Sequence, residues 1–333
     1  MINSDTTDHP FAQYIRILGK GKTGSRSLNF DEAYQSFKMI LAGKVEDIQL
    51  GAFLMLLRVK EETPEELAGF VQACRESIIK PSHDIELTLD WSSYAGKKKH
   101  CPWYLLSAKL LSQQGIRIFM HGAAGHSPGR VYSEQFLPAL GHPITKNWLQ
   151  VQQQLDQQNF AFMPLANFCP ELEKIIRLRP LLGLRSPVHT ISRLLNPLAA
   201  DYSIQSVFHP SYSKSHQATA ALLKQANSMA FKGEAGETER RPEADVKTLT
   251  LRHGKFSEDI WPRLLNGRQI TPNEISLEHM LAVWRDERQD SYAVAAITGT
   301  CAFGLFLLHE KLDSSQALNL ARQYWLERNT NSI

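Results

Sequence analysis

Between Trp91 and Ser133 the chain has no Asp or Glu, although six Lys/Arg and three His fall in that stretch. The shortage of acid continues: residues 91–233 hold 15 Lys/Arg against 5 Asp/Glu, a balance of +10, while the whole chain is only +3. The two ends together therefore carry −7. Charges of one sign repel and are normally interspersed with the other. A field this one-sided selects a partner of opposite sign, and phosphates and nucleic acid are the obvious polyanions. Cysteine is scarce too. Cys74, Cys101, Cys169 and Cys301 lie far apart with no C-x-x-C pair, which excludes a recognisable zinc site or disulfide framework and fits a reducing compartment. There is no repeat and no low-complexity tract. Met1 to Pro10 is polar, so no secretory signal is expected. The longest apolar segment, Ala293 to His309, is interrupted by Thr298, Gly299, Thr300 and Gly304, so no membrane span is expected either. A cytoplasmic protein is the expectation.

What is present reads as two domains, which 333 residues with 43% hydrophobic content can fill. Residues 1–80 carry helical signals. Asn29 followed by Glu32 is a capping box ahead of Phe30, Tyr34, Phe37 and Leu41 at helical spacing, with Gly43 as the stop. Ile48 to Lys60 is apolar nearly all round, so it is expected to be buried on several sides. Thr63-Pro64-Glu65-Glu66 opens a third helix, with a cap, a proline in the first turn and an acid three residues after the cap.

From residue 81 to 333 the pattern changes. Ile85 to Leu89 alternates as a strand, Trp103 to Gln114 has helical length, and Ile116 to Phe119 reads as a second strand. That spacing is a βαβ unit and hence a parallel sheet. Further strands are expected at Phe160–Met163, Ile204–His209 and Met229–Lys232. Ser186-Pro187 starts a helix that sets His189 and Arg193 on one face at i, i+4, and Thr271-Pro272-Asn273-Glu274 opens a late one. Ala293–His309 and Ser314–Arg328 are helical, while Gly233–Asp245 has no periodicity and reads as a loop. The fold class is therefore α/β: a small N-terminal helical domain and a larger α/β domain with a mainly parallel central sheet.

Ligands of such sheets sit beyond the carboxyl ends of the strands. The loop at 92–100 keeps one glycine, Gly96, so it makes a poor backbone cradle for phosphate. It offers Lys97, Lys98 and Lys99 instead, as point charges, and Trp91, Tyr94, Trp103 and Tyr104 stand near them as candidate stacking partners. Trp103 and Tyr104 read equally well as core residues of the following helix.

Three stretches carry a family resemblance. LAGKVEDIQLGAFLMLLRVKEETPEELAGF (residues 41–70), MPLANFCP…RPLLGLRS…LLNP (163–197) and SYAVAAITGT…LDSSQALNLAR (291–322) are similar to anthranilate phosphoribosyltransferases, in the family's order. The resemblance implies a fold of the nucleoside phosphorylase/phosphoribosyltransferase type and a homodimer joined through the helical domain, which helices near 171–195 complete. The family's diphosphate motif G-T-G-G-D falls on Ser93-Tyr94-Ala95-Gly96-Lys97, and its K-H-G-N-R on Met120-His121-Gly122-Ala123-Ala124. Its magnesium-binding Asp-Glu pair falls within Gly233–Glu239, where Glu234, Glu237 and Glu239 stand without an adjacent Asp-Glu. Arg179 takes the place of the arginine that holds the substrate carboxylate.

Glycines have gone and lysines have come in, as in the branch of the family that binds nucleic acid. The candidate phosphate-binding residues are thus Lys97, Lys98, Lys99, His100, His121, Gly122, Arg130, Arg179, Arg185, His189, Arg193 and Lys214, with no catalytic residue, no metal ligand and no cofactor. The alternative is a phosphoribosyltransferase or phosphorylase-like enzyme with an altered phosphate loop, which would need magnesium. A third reading, a regulator that binds another protein through acidic ends, rests on the −7 alone.

Overall fold

The computed structural model describes residues 8–267 and 274–333. Four helices open the chain: α1 (Ala12–Gly19), α2 (Phe30–Leu41), α3 (Asp47–Lys60) and α4 (Pro64–Ser77). Both expected capping boxes form, Asn29 with Glu32 and Thr63 with Glu66. Each satisfies two backbone N–H groups that a helix start otherwise leaves unpaired. Helices α2 and α4 lie in close contact because Gly69 has no side chain; a Cβ there would sit 2.5 Å from the Phe30 carbonyl oxygen.

The remainder is built on a seven-stranded sheet: β1 (Leu89–Ser93), β2 (Ile118–Gly122), β3 (Phe160–Pro164), β4 (Tyr202–Val207), β5 (Asn227–Lys232), β6 (Val246–Arg252) and β7 (Lys255–Trp261). Its order is β3-β2-β1-β4-β5-β6-β7, parallel as far as β5 and antiparallel for the last two pairings. Strand order reverses at β1, which pairs with β2 on one side and β4 on the other. Its carboxyl end is therefore the switch point where such sheets open a crevice.

Two hydrophobic cores cover the sheet's faces. On one face α5 (Tyr104–Ser112) and later helices pack over Trp91, Met120, Phe162, Ile204 and Met229. On the other, α1 to α4 share a core with α6 (Trp148–Gln158), α7 (Pro170–Ile176), α8 (Arg179–Leu182) and α9 (Val188–Ile191). The segment after α9 is tied to the helical domain by Arg75, whose guanidinium donates to the carbonyls of Leu194 and Leu195. Helix α10 (Tyr212–Leu222) packs against β5, β6 and α4.

Several expectations shift. The first two strands begin two to four residues later than the sequence pattern implies: Leu89-Asp90-Trp91-Ser92 carries the alternation on past Leu89, and Asp90 and His121 meet in the buried interior, Nε2 to carboxylate 3.1 Å. The β6–β7 hairpin falls outside the strands expected above. It turns on His253 and Gly254, both at positive φ, the geometry of a two-residue hairpin loop. The expected cap at Thr271–Asn273 lies outside the described residues; α11 (Leu277–Trp284) is capped by the Ser276 hydroxyl, which accepts from His279 N–H.

Helix α12 (Ser291–Leu308) corrects the expectation about membrane-length segments: its 18 residues are apolar and long enough to cross a bilayer, with 78% of them buried inside the protein. Thr298 and Thr300 do not interrupt it, since their hydroxyls donate to carbonyls four residues back. It packs between α5 and α13 (Ser314–Glu327) as a core helix.

Candidate anion-binding cavity

Beyond the carboxyl ends of β1, β2 and β4 the sheet opens into a cavity of about 440 Å³. The β1 and β2 loops contribute Lys98 and Arg130, α8 and α9 with their flanks contribute Arg179, Arg185, His189 and Arg193, and the helical domain contributes Arg58 and Glu62. The loop after β4 adds Phe208 and His209, and α10 adds Tyr212 and His216. Six cations and one carboxylate line the space.

None of the five arginines has an ion-pair partner among the described residues; Arg58 reaches the Tyr212 hydroxyl at 3.5 Å, and the other four are fixed to neutral oxygens of the surrounding loops and helices. An Nη1 donates to the His126 carbonyl from Arg179 (3.1 Å) and to the His189 carbonyl from Arg193. Arg185 donates to the Ser127 hydroxyl (3.1 Å), and Arg130 to the carbonyls of Ala95, Gly96 and Ala235. One edge of each guanidinium is thereby held while other N–H donors stay unused. Burial, then the neighbouring Arg193, Arg130 and Arg179, push Arg185 down to about 10.

The histidines respond to the same field. Burial together with Arg185, Arg193 and Arg179 lowers His126 to about 3, and burial with Arg193 lowers His216 to about 3. His189 is likewise held neutral. Its Nδ1 lies 3.2 Å from the Ser186 carbonyl. A carbonyl only accepts, so Nδ1 carries the proton and Nε2 is a buried acceptor with no partner. Glu62, the one acid, is raised to about 7 by burial.

Next to this open charge lies a closed one. The backbone N–H groups of Ala95 and Gly96, at the end of β1, converge on a single carboxylate oxygen of Glu237, 2.7 Å from the former. Consecutive N–H groups of this kind form an anion nest, and here the anion is internal. Lys97 is fully buried between Glu234 and Glu239, 2.5 Å from the latter. The second Glu239 oxygen accepts from Tyr104 N–H at 3.0 Å. Burial alone would discharge Lys97, but the carboxylates of Glu239 and Glu234 outweigh it and raise its pKa. Burial and Glu234 push Glu239 up to about 7.

Residues 12–78 match the helical bundle domain of the glycosyl transferase family, and residues 104–313 match its α/β domain. The chain belongs to that family. Within it, an uncharacterised Escherichia coli protein, YbiB, is 34% identical over 206 residues, covering 61% of this chain and 64% of that one, just under two thirds of its length. An anthranilate phosphoribosyltransferase of Aquifex aeolicus is 25% identical over 93% of this chain and 94% of its own. The anthranilate phosphoribosyltransferase of Saccharomyces cerevisiae, solved in complex with PRPP and Mg, shares the fold with a TM-score of 0.78 at 16% identity, covering 98% of this chain and 95% of that one.

The residues that fall on the family's diphosphate and magnesium motifs do not fit those ligands. One carboxylate oxygen of Glu234, one of Glu237 and both of Glu239 are committed to Lys97, to the nest amides and to Tyr104 N–H, which leaves Glu237 Oε2 as a single buried oxygen without a hydrogen-bond partner. Magnesium prefers near-octahedral oxygen coordination shared with substrate phosphates, and no cluster of three or more His, Cys, Asp or Glu suited to a metal exists among the described residues. No step through magnesium or a diphosphate follows from this site.

The cavity brings together Lys98, Arg130, Arg179, Arg185, His189 and Arg193 of the expected set. It does not include the others. Lys97 is buried in its ion pairs. Lys99 is exposed but outside the cavity lining. His100 is stacked on Tyr292 with ring centroids 4.2 Å apart. His121 is fully buried, its Nε2 3.1 Å from Asp90 and its Nδ1 2.6 Å from the Tyr94 hydroxyl. Gly122 serves packing: a Cβ there would sit 2.2 Å from the Ser93 carbonyl oxygen. Lys214 lines a separate basic depression with Lys232, Arg241 and Lys247. Trp91, Tyr94, Trp103 and Tyr104 are core residues rather than stacking partners.

The aromatic residues at the lip are Phe208, His209 and Tyr212, which the sequence reading missed. Their signal was available, since Phe208 directly follows a parallel strand's carboxyl end. Arg58 and Glu62 had no such signal. They reach the cavity only through the packing of the helical domain.

Proposed function

We propose that the cavity binds the backbone of single-stranded nucleic acid, DNA or RNA, with little regard for sequence and without transferring a phosphoribosyl group. The observation that carries this is the set of four anchored, unpaired guanidiniums beside a phosphate nest already filled by Glu237. Arginine forks match phosphate oxygens and read no base. The exposed ring of Phe208 and the neighbouring His209 supply the stacking surface a single strand needs. The protein would act in the cytoplasm, in keeping with four buried, unpaired cysteines. It would act as a homodimer in which Ile48 and Val59 of α3, both more than four-fifths exposed, meet a second copy. The test is affinity for an oligonucleotide against salt. Log affinity should fall with log salt by roughly 0.7 for each phosphate contact, and a flat dependence rejects the reading.

The second reading is phosphoribosyl transfer on an unusual acceptor. It is favoured by the similarity to the Aquifex aeolicus anthranilate phosphoribosyltransferase and by Arg179. It requires turnover with PRPP and magnesium at ordinary enzyme rates, on the order of 1 per second or faster.

A further inference from the structure

Arg130, Arg179, Arg185 and Arg193 concentrate more charge than one phosphodiester can answer. A diester carries a single negative charge and continues as chain on both sides. A terminal phosphate monoester carries close to two charges at neutral pH and three acceptor oxygens. Each guanidinium is already oriented through one edge on a carbonyl or hydroxyl, so several forks can meet one dianion without being ordered on binding. The Nε of Arg179 is buried and unpartnered, a donor with nothing to bond. The space suits an end rather than a duplex. About 440 Å³ is at the small end of ligand pockets, and Phe208 at its rim is half exposed.

Resting on the nucleic-acid reading above, we infer that the cavity is a receptor for the terminal phosphate monoester of a single strand, with the adjoining base stacked on Phe208. Internal phosphodiesters then follow the basic surface outward past Lys98 and Arg58.

The experiment compares four fluorescent oligonucleotides of one sequence at fixed salt: hydroxyl-ended, 5′-phosphorylated, 3′-phosphorylated, and hydroxyl-ended but one nucleotide longer. The last carries the extra charge without the monoester. One phosphorylated form should bind about tenfold tighter than the hydroxyl-ended strand, as a few added charge-assisted hydrogen bonds allow. The longer strand should gain less than twofold. Arg185→Gln should erase the preference. On the parent protein, a nucleoside 5′-monophosphate should compete away the tenfold advantage, and the nucleoside should not. Four strands that bind alike overturn this inference and leave the nucleic-acid reading standing. A preference that persists in folded Arg185→Gln, or resists the monophosphate, also overturns it. No binding by any strand removes both readings.

Discussion

Two charged regions lie side by side at one end of the sheet. Around Lys97 the cation is answered from within: Glu234 and Glu239 enclose the ammonium, and Glu237 occupies the amides of Ala95 and Gly96. Around Arg185 none of the four guanidiniums meets a carboxylate, and neutral oxygens fix their geometry. A buried charge with internal partners is part of the structure. A charge that the fold holds in place but leaves unpaired is available to a ligand. Adjacent lysines fall on opposite sides of that division, Lys97 inside and Lys98 on the cavity wall.

The largest expected effect breaks the closed side. Lys97→Ala leaves Glu234 and Glu239 buried without their cation, and removal of one partner from a buried pair costs about 3–5 kcal/mol. Thermal denaturation should show a fall in Tm of many degrees, in contrast to the exposed loop that the run of three lysines suggests. Next is Glu237→Ala, which strips the nest of its anion at a cost of about 1–3 kcal/mol for the unpaired amides. Added inorganic pyrophosphate should raise the Tm of this variant by mass action and leave the parent unmoved. An equal shift in both would mean that the nest is not where the anion binds.

On the open side the sharpest probe is Glu62. Its pKa, raised by burial to about 7, keeps it neutral in acid, so the stability this carboxyl contributes is present below about 4.5 and is lost as pH rises through about 7. Its charge also opposes an anionic ligand. Affinity should therefore increase as pH falls from 8 to 6, with Arg58, Glu61, Glu66 and Tyr212 as the other titratable neighbours. Glu62→Gln should flatten this profile and raise affinity at pH 8. The smallest effect belongs to Lys98→Ala, which should change stability by no more than about 0.5 kcal/mol and make the salt slope shallower by about 0.7. If Lys98→Ala instead lowered Tm as far as Lys97→Ala, the division between the two lysines would fail.

Local signals made the helices and the order of domains legible. The capping boxes at Asn29 and Thr63 and the βαβ spacing after residue 85 involve residues a few positions apart. The basic helix region from Arg179 to Arg193 was legible for the same reason, because no acid follows Lys174 before Asp201. Lys97 was not. Its partner Glu239 is 142 residues away, and nothing in the run of three lysines separates the buried one from its neighbours. His121 reads as a loop ligand until Asp90 and Tyr94 are seen to enclose it. The β6–β7 hairpin escaped because β7 is an exposed edge strand, with Lys255 to Ser257 turned to solvent, so its apolar signal is weak.

The separation between Ala95 and Glu237 also has a consequence in time. At about 5–20 residues per second on the ribosome, the nest amides and Lys97 exist for roughly ten seconds before the glutamates that close them have been made. A nascent chain arrested between those points lacks the carboxylates that the amides of Ala95 and Gly96 and the Lys97 ammonium meet in the finished fold. The native closure of this end of the sheet therefore cannot form until the acidic loop has been made.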